Sequence, residues 1–90
     1  MPSYLASIEV MLKPLVNDPQ GLAVLDSLNN LGFAAARRVR VGKRIEVEVE
    51  APNASNAEVL ATEMCERLLA NPVIEDFQLE LKEINAASES

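Results

Sequence analysis

Few side chains of this 90-residue chain are equipped for covalent chemistry. It contains a single cysteine, Cys65, and no histidine. A cysteine nucleophile usually needs a histidine or another activating group beside it. The surrounding sequence predicts Cys65 near the middle of a helix, away from the positive N-terminal end. We therefore interpret Cys65 as a packed core thiol, and we expect no structural zinc site, which needs four such ligands.

A basic cluster is the second place where chemistry could reside. Five of the eight positive charges lie in one short segment, as Arg37, Arg38, Arg40, Lys43 and Arg44. One arginine guanidinium can form two hydrogen bonds to the oxygens of a phosphate, so phosphate binding is one interpretation. A protein–protein contact by Gly42-Lys43-Arg44 is another. A third interpretation, favoured by the glutamates that follow, is a ladder of Arg–Glu pairs between neighbouring strands.

The carboxylates and glycines indicate no autonomous active site. Glu75 and Asp76 are adjacent at the entrance of a predicted strand, where neighbouring side chains point apart. A solvated turn is therefore favoured over a metal site or an acid–base pair. Gly21, Gly32 and Gly42 form no phosphate-cradling loop, and no nucleotide or hydrolase motif is present.

Composition limits the partners and the compartment. The net charge of −6 argues against nucleic acid and against an anionic membrane surface. No apolar run approaches the roughly 18 residues of a membrane span, and the sequence from Met1 to Leu5 lacks the pattern of a signal peptide. We expect a cytoplasmic protein. Because so small a domain has a thin core and one cysteine permits no internal disulfide, oligomerisation is expected to complete it.

Hydrophobic periodicity predicts the elements that position these residues. Alternation over residues 4–13 predicts a strand that buries one face. Asp18-Pro19 predicts the cap and first turn of a helix over 19–31, ended by Gly32. A second helix over 56–70, capped by Asn53 or Ser55, is predicted to bury an apolar stripe; the stripe comprises Ala57, Leu60, Ala61, Met64, Leu68 and Leu69.

Residues 37–50 predict a β-hairpin with a three-residue loop at Gly42-Lys43-Arg44. That register pairs Val41 with Ile45 on the inner face. On the outer face it pairs oppositely charged residues, Arg40 with Glu46 and Arg38 with Glu48. A final strand from about Phe77 to Lys82 follows the second helix.

The predicted order β-α-β-β-α-β defines an α+β fold related to the ferredoxin-like fold, with an antiparallel sheet and two helices on one face. We expect one domain over residues 1–84 and a disordered tail over 85–90. The other face of the sheet would carry Leu5 and Met11 beside polar side chains. Such a half-apolar face suits a sheet-mediated oligomer, so Leu5 and Met11 are the candidate oligomer contacts.

Four segments of the chain resemble the PurS family of phosphoribosylformylglycinamidine synthase subunits. Three are short: Asp18–Gly21, Leu31–Phe33 and Val39–Lys43. The fourth, CERLLANPVIEDF over Cys65–Phe77, is long and specific. The order and spacing of the segments match the family from about Tyr4 to Ile84.

The resemblance implies a non-catalytic subunit of a complex in purine biosynthesis. That complex converts a formylglycinamide ribonucleotide into the formylglycinamidine with ATP, magnesium and glutamine. A glutaminase subunit releases ammonia, a large synthetase subunit consumes it, and the PurS subunit bridges the two and helps the ammonia to pass. Family members form dimers, and tetramers when isolated. The resemblance implies neither a catalytic residue nor a cofactor bound by this chain.

Two groups of residues are candidate contacts with the larger subunits. They are Arg40, Gly42, Lys43 and Arg44 near the predicted hairpin loop, and Asn71, Pro72, Glu75 and Asp76 before the last strand. Two positions depart from the family pattern, because many relatives have an aromatic residue in place of Arg44 and a basic first strand where this chain has Glu9. The alternative function, supported by fold analogy alone, is a stand-alone ferredoxin-like module that binds a small regulatory molecule.

Overall fold

The computed structural model describes residues 1–84 and contains three strands and two α-helices in the order β-α-β-α-β. The strands form one antiparallel sheet in which β1 is central, flanked by β2 and β3. The α+β class and the antiparallel sheet are as predicted, but the sheet has one strand fewer than the predicted order. The elements are β1 (Ser3–Leu12), α1 (Pro19–Asn30), β2 (Gly42–Glu50), α2 (Ala54–Met64) with a π-helical segment Cys65–Leu69, and β3 (Glu75–Ile84). The tail predicted over 85–90 lies outside the described residues.

The inner face of β1 forms the centre of the core. Its alternate residues Tyr4, Ala6, Ile8 and Val10 are all buried, as the alternation predicts. Helix α2 covers this face with a stripe of small residues spaced by four, namely Ala57, Ala61 and Cys65, which are completely buried. Small side chains let a helix approach a sheet closely, and the inner residues of β2 and β3 fill the space on either side.

The predicted hairpin is wrong, because residues 37–41 form no strand. The Val41 N–H donates to Asp18 Oδ2 at 3.0 Å, and the Arg40 guanidinium donates to the Leu12 carbonyl oxygen. The backbone N–H of Val41 is therefore used at the start of α1, and the Arg40 side chain is bound at the end of β1. The three-residue loop is also wrong, since Gly42, Lys43 and Arg44 are the first residues of β2.

Strand β2 pairs with β1 in a register that buries apolar residues from both strands. Ile45 lies opposite Ile8, and Val47 lies opposite Ala6. The predicted pairs Arg40–Glu46 and Arg38–Glu48 do not form; Arg44 instead lies opposite Glu9. The central strand offers β2 a ten-residue partner within the core, whereas pairing with 37–41 would have covered only a short segment.

Side-chain caps and one glycine set the helix ends. Asp18 caps α1 by accepting from the Gly21 N–H at 3.0 Å, and Asn53 caps α2 by accepting from the Asn56 N–H at 2.9 Å. Gly32 has a φ of 99°, a left-handed conformation that ends α1 at little steric cost. The predicted cap at Asp18 and the predicted helix end at Gly32 are confirmed, and Asn53 rather than Ser55 caps the second helix.

Both predicted helices are present, but only α2 packs on the sheet. Helix α1 makes no extensive contact with a strand or with α2, so the two helices do not form the expected layer on one face. The described chain is elongated, measuring 52 × 32 × 15 Å with a radius of gyration of 17.2 Å. A compact chain of this length would have a radius near 12 Å. The difference arises because α1 projects from the sheet.

The core of the isolated protomer is correspondingly small. None of the twelve leucines in the sequence is buried. The largest fully buried side chains are Ile8, Val10 and Cys65. Much of the apolar content of this chain therefore lies at the surface of a single copy.

Candidate partner-docking site

The C-terminal end of β1 gathers candidate contact residues from distant parts of the sequence. Met11 lies opposite Gly42 on one side and opposite Asp76 on the other. The neighbouring pairs place Lys43 beside Val10, Arg44 beside Glu9 and Glu75 beside Leu12. We call this region the β1 end, comprising Glu9–Lys13, Arg40, Gly42–Arg44, Glu75 and Asp76. The structure thus brings together two predicted contact groups that are about 30 residues apart in the sequence.

Exposed ion pairs order the charged side chains of the β1 end. Lys13 Nζ lies 3.1 Å from Asp76 Oδ1. The Arg44 guanidinium lies 3.4 Å from Glu9 Oε1 and 3.5 Å from Glu46 Oε2. Each pair contributes at most about 1 kcal/mol at such exposure. Within residues 1–84, Lys43 has no carboxylate within ion-pair distance, so its charge is available to a partner.

The predicted contact residues Asn71 and Pro72 lie in a hydrogen-bonded turn beside the β1 end. Asn71 Oδ1 accepts from the Val73 N–H at 3.1 Å, and Glu75 Oε1 accepts from the Asn71 N–H at 2.7 Å. The Lys13 N–H donates to the Ile74 carbonyl oxygen at 2.8 Å, which ties the turn to the chain leaving β1. Val73, 78% exposed, is thereby held at the surface.

Leu5 and Met11, the candidate oligomer contacts, share the outer face of the sheet but lie at opposite ends of β1. Leu5 is opposite Glu48 and Lys82, whereas Met11 is opposite Gly42 and Asp76. Six residues of strand separate the two by about 20 Å. Both are half-buried, and the residues between them on this face include Ser7 and Glu9, so the outer face has no continuous apolar patch.

Asp18 joins the start of α1 to the segment that leads into the β1 end. Its two carboxylate oxygens accept separately from the Gly21 and Val41 N–H groups. These hydrogen bonds, that from Val41 most strongly, lower the pKa of the Asp18 carboxyl below its ordinary value because they favour the charged form. The positive charge of Arg40 acts in the same direction, and desolvation opposes it.

Replacing Asp18 by asparagine should lower the melting temperature at neutral pH, and this loss should shrink in acid. Asparagine replaces one of the two carboxylate oxygens with an NH2 group that donates and cannot accept, so one of the two N–H groups loses its present acceptor. Because folding depresses the pKa of Asp18, the carboxylate stabilises the fold above the unfolded pKa of about 3.9 and ceases to do so as pH falls through the lower folded value.

Melting temperatures of the wild type and D18N, compared from neutral pH downwards, should therefore converge below about pH 4. The matched control is Asp26→Asn, an exposed position on the same helix, which should leave the melting temperature at neutral pH close to that of the wild type. A D18N deficit that persisted undiminished in strong acid would contradict the assigned role.

Cys65 has the environment of a core thiol, as predicted. It is completely buried at the end of α2, where the π-helical segment begins, and it packs in the core with Ala6, Ile8 and Val10. Burial raises the pKa of the Cys65 thiol, and the negative charge of Glu66 raises it further. The thiolate that nucleophilic chemistry requires is therefore disfavoured.

The described residues contain neither a metal-binding cluster nor a membrane-spanning helix. Across residues 1–84, no three carboxylate or thiol side chains are grouped closely enough to hold a metal ion. In the same part of the chain, neither helix is long and apolar enough to cross a bilayer.

The sequence analysis missed an apolar groove beside α2. Leu60, Met64 and Leu68, predicted to be buried, are instead 41%, 36% and 82% exposed. The signal was their spacing of four, which forms a second stripe next to Ala57, Ala61 and Cys65 on the helix. Only one of the two stripes can face the sheet, and the smaller residues take that position.

Comparison with known proteins identifies the family. The sequence profile described as phosphoribosylformylglycinamidine (FGAM) synthase, PurS, matches residues 5–83. The chain belongs to the PurS family. The resemblance expected from the four sequence segments is thus confirmed.

PurS proteins of known structure share the fold over almost their whole length. The chain is 42% identical to the PurS subunit of Bacillus subtilis over 83 residues, which are 92% of this chain and 98% of that subunit. A crystal form of B. subtilis PurS superposes with a TM-score of 0.81 and covers 89% of this chain and 99% of its own.

A second relative, PurS of Methanocaldococcus jannaschii, is described as one of the subunits of formylglycinamide ribonucleotide amidotransferase in the purine biosynthetic pathway. It has 34% identity and a TM-score of 0.80, and the match covers 91% of this PurS chain and 99% of that one. A chain in the structure of PurLQS from Thermotoga maritima also has 34% identity and a TM-score of 0.80, with coverage of 93% and 100%.

Proposed function

We propose that this PurS chain is a non-catalytic bridging subunit of phosphoribosylformylglycinamidine synthase. It docks the glutaminase subunit onto the large synthetase subunit and aids the transfer of ammonia between them. The observation that carries the proposal is membership of the PurS family in a chain whose single thiol is buried. Such a chain acts through its surfaces.

The β1 end is the proposed contact with a larger subunit. It combines exposed charges of both signs, including Lys43 and the ion-paired Arg44 and Asp76, with the turn that presents Val73. Charged rims of this kind steer association and set the register of a complex. Strand pairing on both sides of β1 fixes the backbone positions of these residues, so little ordering is needed on binding.

Chemistry in the proposed complex belongs to the larger subunits. ATP, magnesium and glutamine are bound there, and this chain holds no cofactor of its own. The complex acts in the cytoplasm. The chain itself forms a homodimer or tetramer within this scheme.

Reconstitution of the synthase tests the proposal directly. With purified glutaminase and synthetase subunits, glutamine-dependent product formation should fall at least tenfold when this chain is omitted. Ammonia-dependent formation should change much less, because free ammonia bypasses the glutaminase and its docking. Equal glutamine-dependent rates with and without the chain would overturn the bridging role. A matched addition of heat-denatured chain controls for non-specific protein effects.

A further inference from the structure

Two arginines before β2 lack the counter-charges that a hairpin would have supplied. The predicted pair Arg38–Glu48 does not form, because β2 pairs with β1 instead. Within residues 1–84, neither Arg37 nor Arg38 has a carboxylate within ion-pair distance. Both residues are exposed. In a chain of net charge −6, two guanidinium groups are thus left free to bind an anion from outside.

These arginines line a pocket beside α1, which we call the α1 pocket. It has a volume of about 240 Å³. Arg37, Arg38 and Arg40 line it from the segment that returns to the sheet, and Leu22 and Leu25 line it from the helix. Low-dielectric walls concentrate the field of nearby charges. The pocket therefore attracts an anion more strongly than the same arginines would on a flat surface.

Arg40 is held in the α1 pocket by the end of β1. Its guanidinium donates a hydrogen bond to the carbonyl oxygen of Leu12, which lines the same pocket. A guanidinium carries five N–H donors, so further donors remain for a ligand. Since a side chain that is fixed in advance loses less conformational entropy on binding, Arg40 gives the pocket one positive group that is already in place.

The carboxylate of Asp18 also lines the α1 pocket, but its charge is already compensated. Its two oxygens accept from the Gly21 and Val41 N–H groups. Gly21 lies in the first turn of α1, where the helix dipole favours negative charge. Among the described residues that line the pocket, three guanidinium groups and this one carboxylate leave a net charge of +2. A dianion matches that charge.

The size and the walls of the α1 pocket select a small phosphate monoester. Its volume lies below the roughly 300–1,000 Å³ of pockets that take drug-sized ligands. A phosphate monoester carries about −1.5 to −2 charges at pH 7, and arginine donors bind its oxygens in pairs. Leu22 and Leu25 offer apolar surface to the carbon skeleton, and Asn17, which also lines the pocket, can hydrogen-bond a hydroxyl group.

We propose that the α1 pocket binds a small phosphate monoester. Arg37, Arg38 and Arg40 hold the phosphate, and the carbon skeleton lies against α1. The pocket shares Arg40 and Leu12 with the β1 end but contains neither Lys43 nor Arg44. The site therefore goes beyond the bridging role, and its existence does not depend on that role.

Calorimetric titration of the full chain tests the site, with ribose 5-phosphate as the probe. At low ionic strength, where charges are least screened, saturable binding of one ligand per protomer is expected. The double variant Arg37→Gln/Arg38→Gln should raise the dissociation constant at least about tenfold, because it removes two charged donors. Absence of binding by the wild type at millimolar ligand would overturn the proposal.

The matched control removes two positive charges elsewhere. The variant Arg67→Gln/Lys82→Gln changes two exposed residues outside the pocket and should keep the dissociation constant within about twofold of the wild type, since surface charges more than a Debye length away are largely screened. Equal weakening by both double variants would show that net charge alone attracts the probe, and the pocket would be wrong.

Two further probes separate the phosphate from the rest of the ligand. Ribose should not bind, because it offers no anion to the arginines. Inorganic phosphate should bind several-fold more weakly than ribose 5-phosphate, because it leaves Leu22 and Leu25 uncovered. Binding of ribose, or equal affinities for the two phosphates, would overturn the assignment of a monoester.

Backbone amide chemical shifts locate the bound probe and show that the variants remain folded. Ribose 5-phosphate should shift the amide resonances of Asn17, Leu25 and Val39, which line the pocket. Those of Val59 and Thr62 on α2 should not move. Shifts confined to Lys43 and Arg44 would place the anion at the β1 end and overturn the proposal. Neither measurement involves the larger subunits, whose docking is measured separately by the synthase assay.

Discussion

Replacing Ile8 by alanine should remove a large fraction of the stability of this chain. Ile8 is completely buried at the centre of β1 and lies opposite Ile45 on one side and Leu79 on the other. Truncating a buried isoleucine costs about 2–5 kcal/mol through lost apolar burial and the cavity left behind. A chain of this length is stable by roughly 5–13 kcal/mol at most, so the loss is a large fraction of the total.

Urea denaturation followed by circular dichroism measures this effect. The midpoint of I8A should fall well below that of the wild type at equal protomer concentration, which must be fixed because dimer stability depends on it. The control Val59→Ala changes an exposed residue and should lower the free energy of unfolding by less than about 0.5 kcal/mol. Coincident curves for I8A and the wild type would show that β1 is not the centre of the core.

Reversing the charge of Lys43 should have the largest effect on the proposed complex at little cost to the fold. Lys43 is exposed at the start of β2 and, in the described part of the chain, is not ion-paired. When a substitution places a negative charge against a negatively charged partner surface, the repulsion costs up to several kcal/mol of binding free energy. With K43E, the concentration of this chain that gives half-maximal glutamine-dependent activity should therefore rise about tenfold or more, equivalent to at least about 1.4 kcal/mol.

The matched control is Lys82→Glu. Lys82 is an exposed strand lysine at the other end of the sheet, opposite Leu5. It should leave half-saturation within about twofold of the wild type, and ammonia-dependent activity should be unaffected by either change. If K82E weakened activation as much as K43E, net charge rather than the β1 end would govern docking, and the assignment of this surface would be wrong.

Local sequence signals predicted those features whose causes are local. Alternation assigned Tyr4, Ala6, Ile8 and Val10 to the buried face of β1, because successive side chains of a strand point to opposite sides. Asp18 marked the start of α1, because a carboxylate there accepts from free backbone N–H groups. The lack of histidine and the position of Cys65 likewise sufficed to predict a structural thiol.

The hairpin failed because alternation specifies a face but not a partner. Residues 37–41 and β1 both alternate apolar and polar side chains, and the charge pairs Arg40–Glu46 and Arg44–Glu9 are energetically similar at an exposed position. Burial of Ile45 against Ile8 in the central strand outweighs such pairs, since apolar burial contributes more. The element predicted for Gly42, Lys43 and Arg44 was therefore wrong, because these residues begin β2 instead of forming a hairpin loop.

The sequence by itself determined the α+β class, the helix starts, the inner face of β1 and the resemblance to PurS proteins. Only the tertiary structure decided which strand pairs with β2, which stripe of α2 faces the sheet, and that α1 stands away from its own core. The physical reason is that periodicity records that an apolar face must be buried. It does not record where the covering surface comes from, and that depends on long-range packing within one chain or between two.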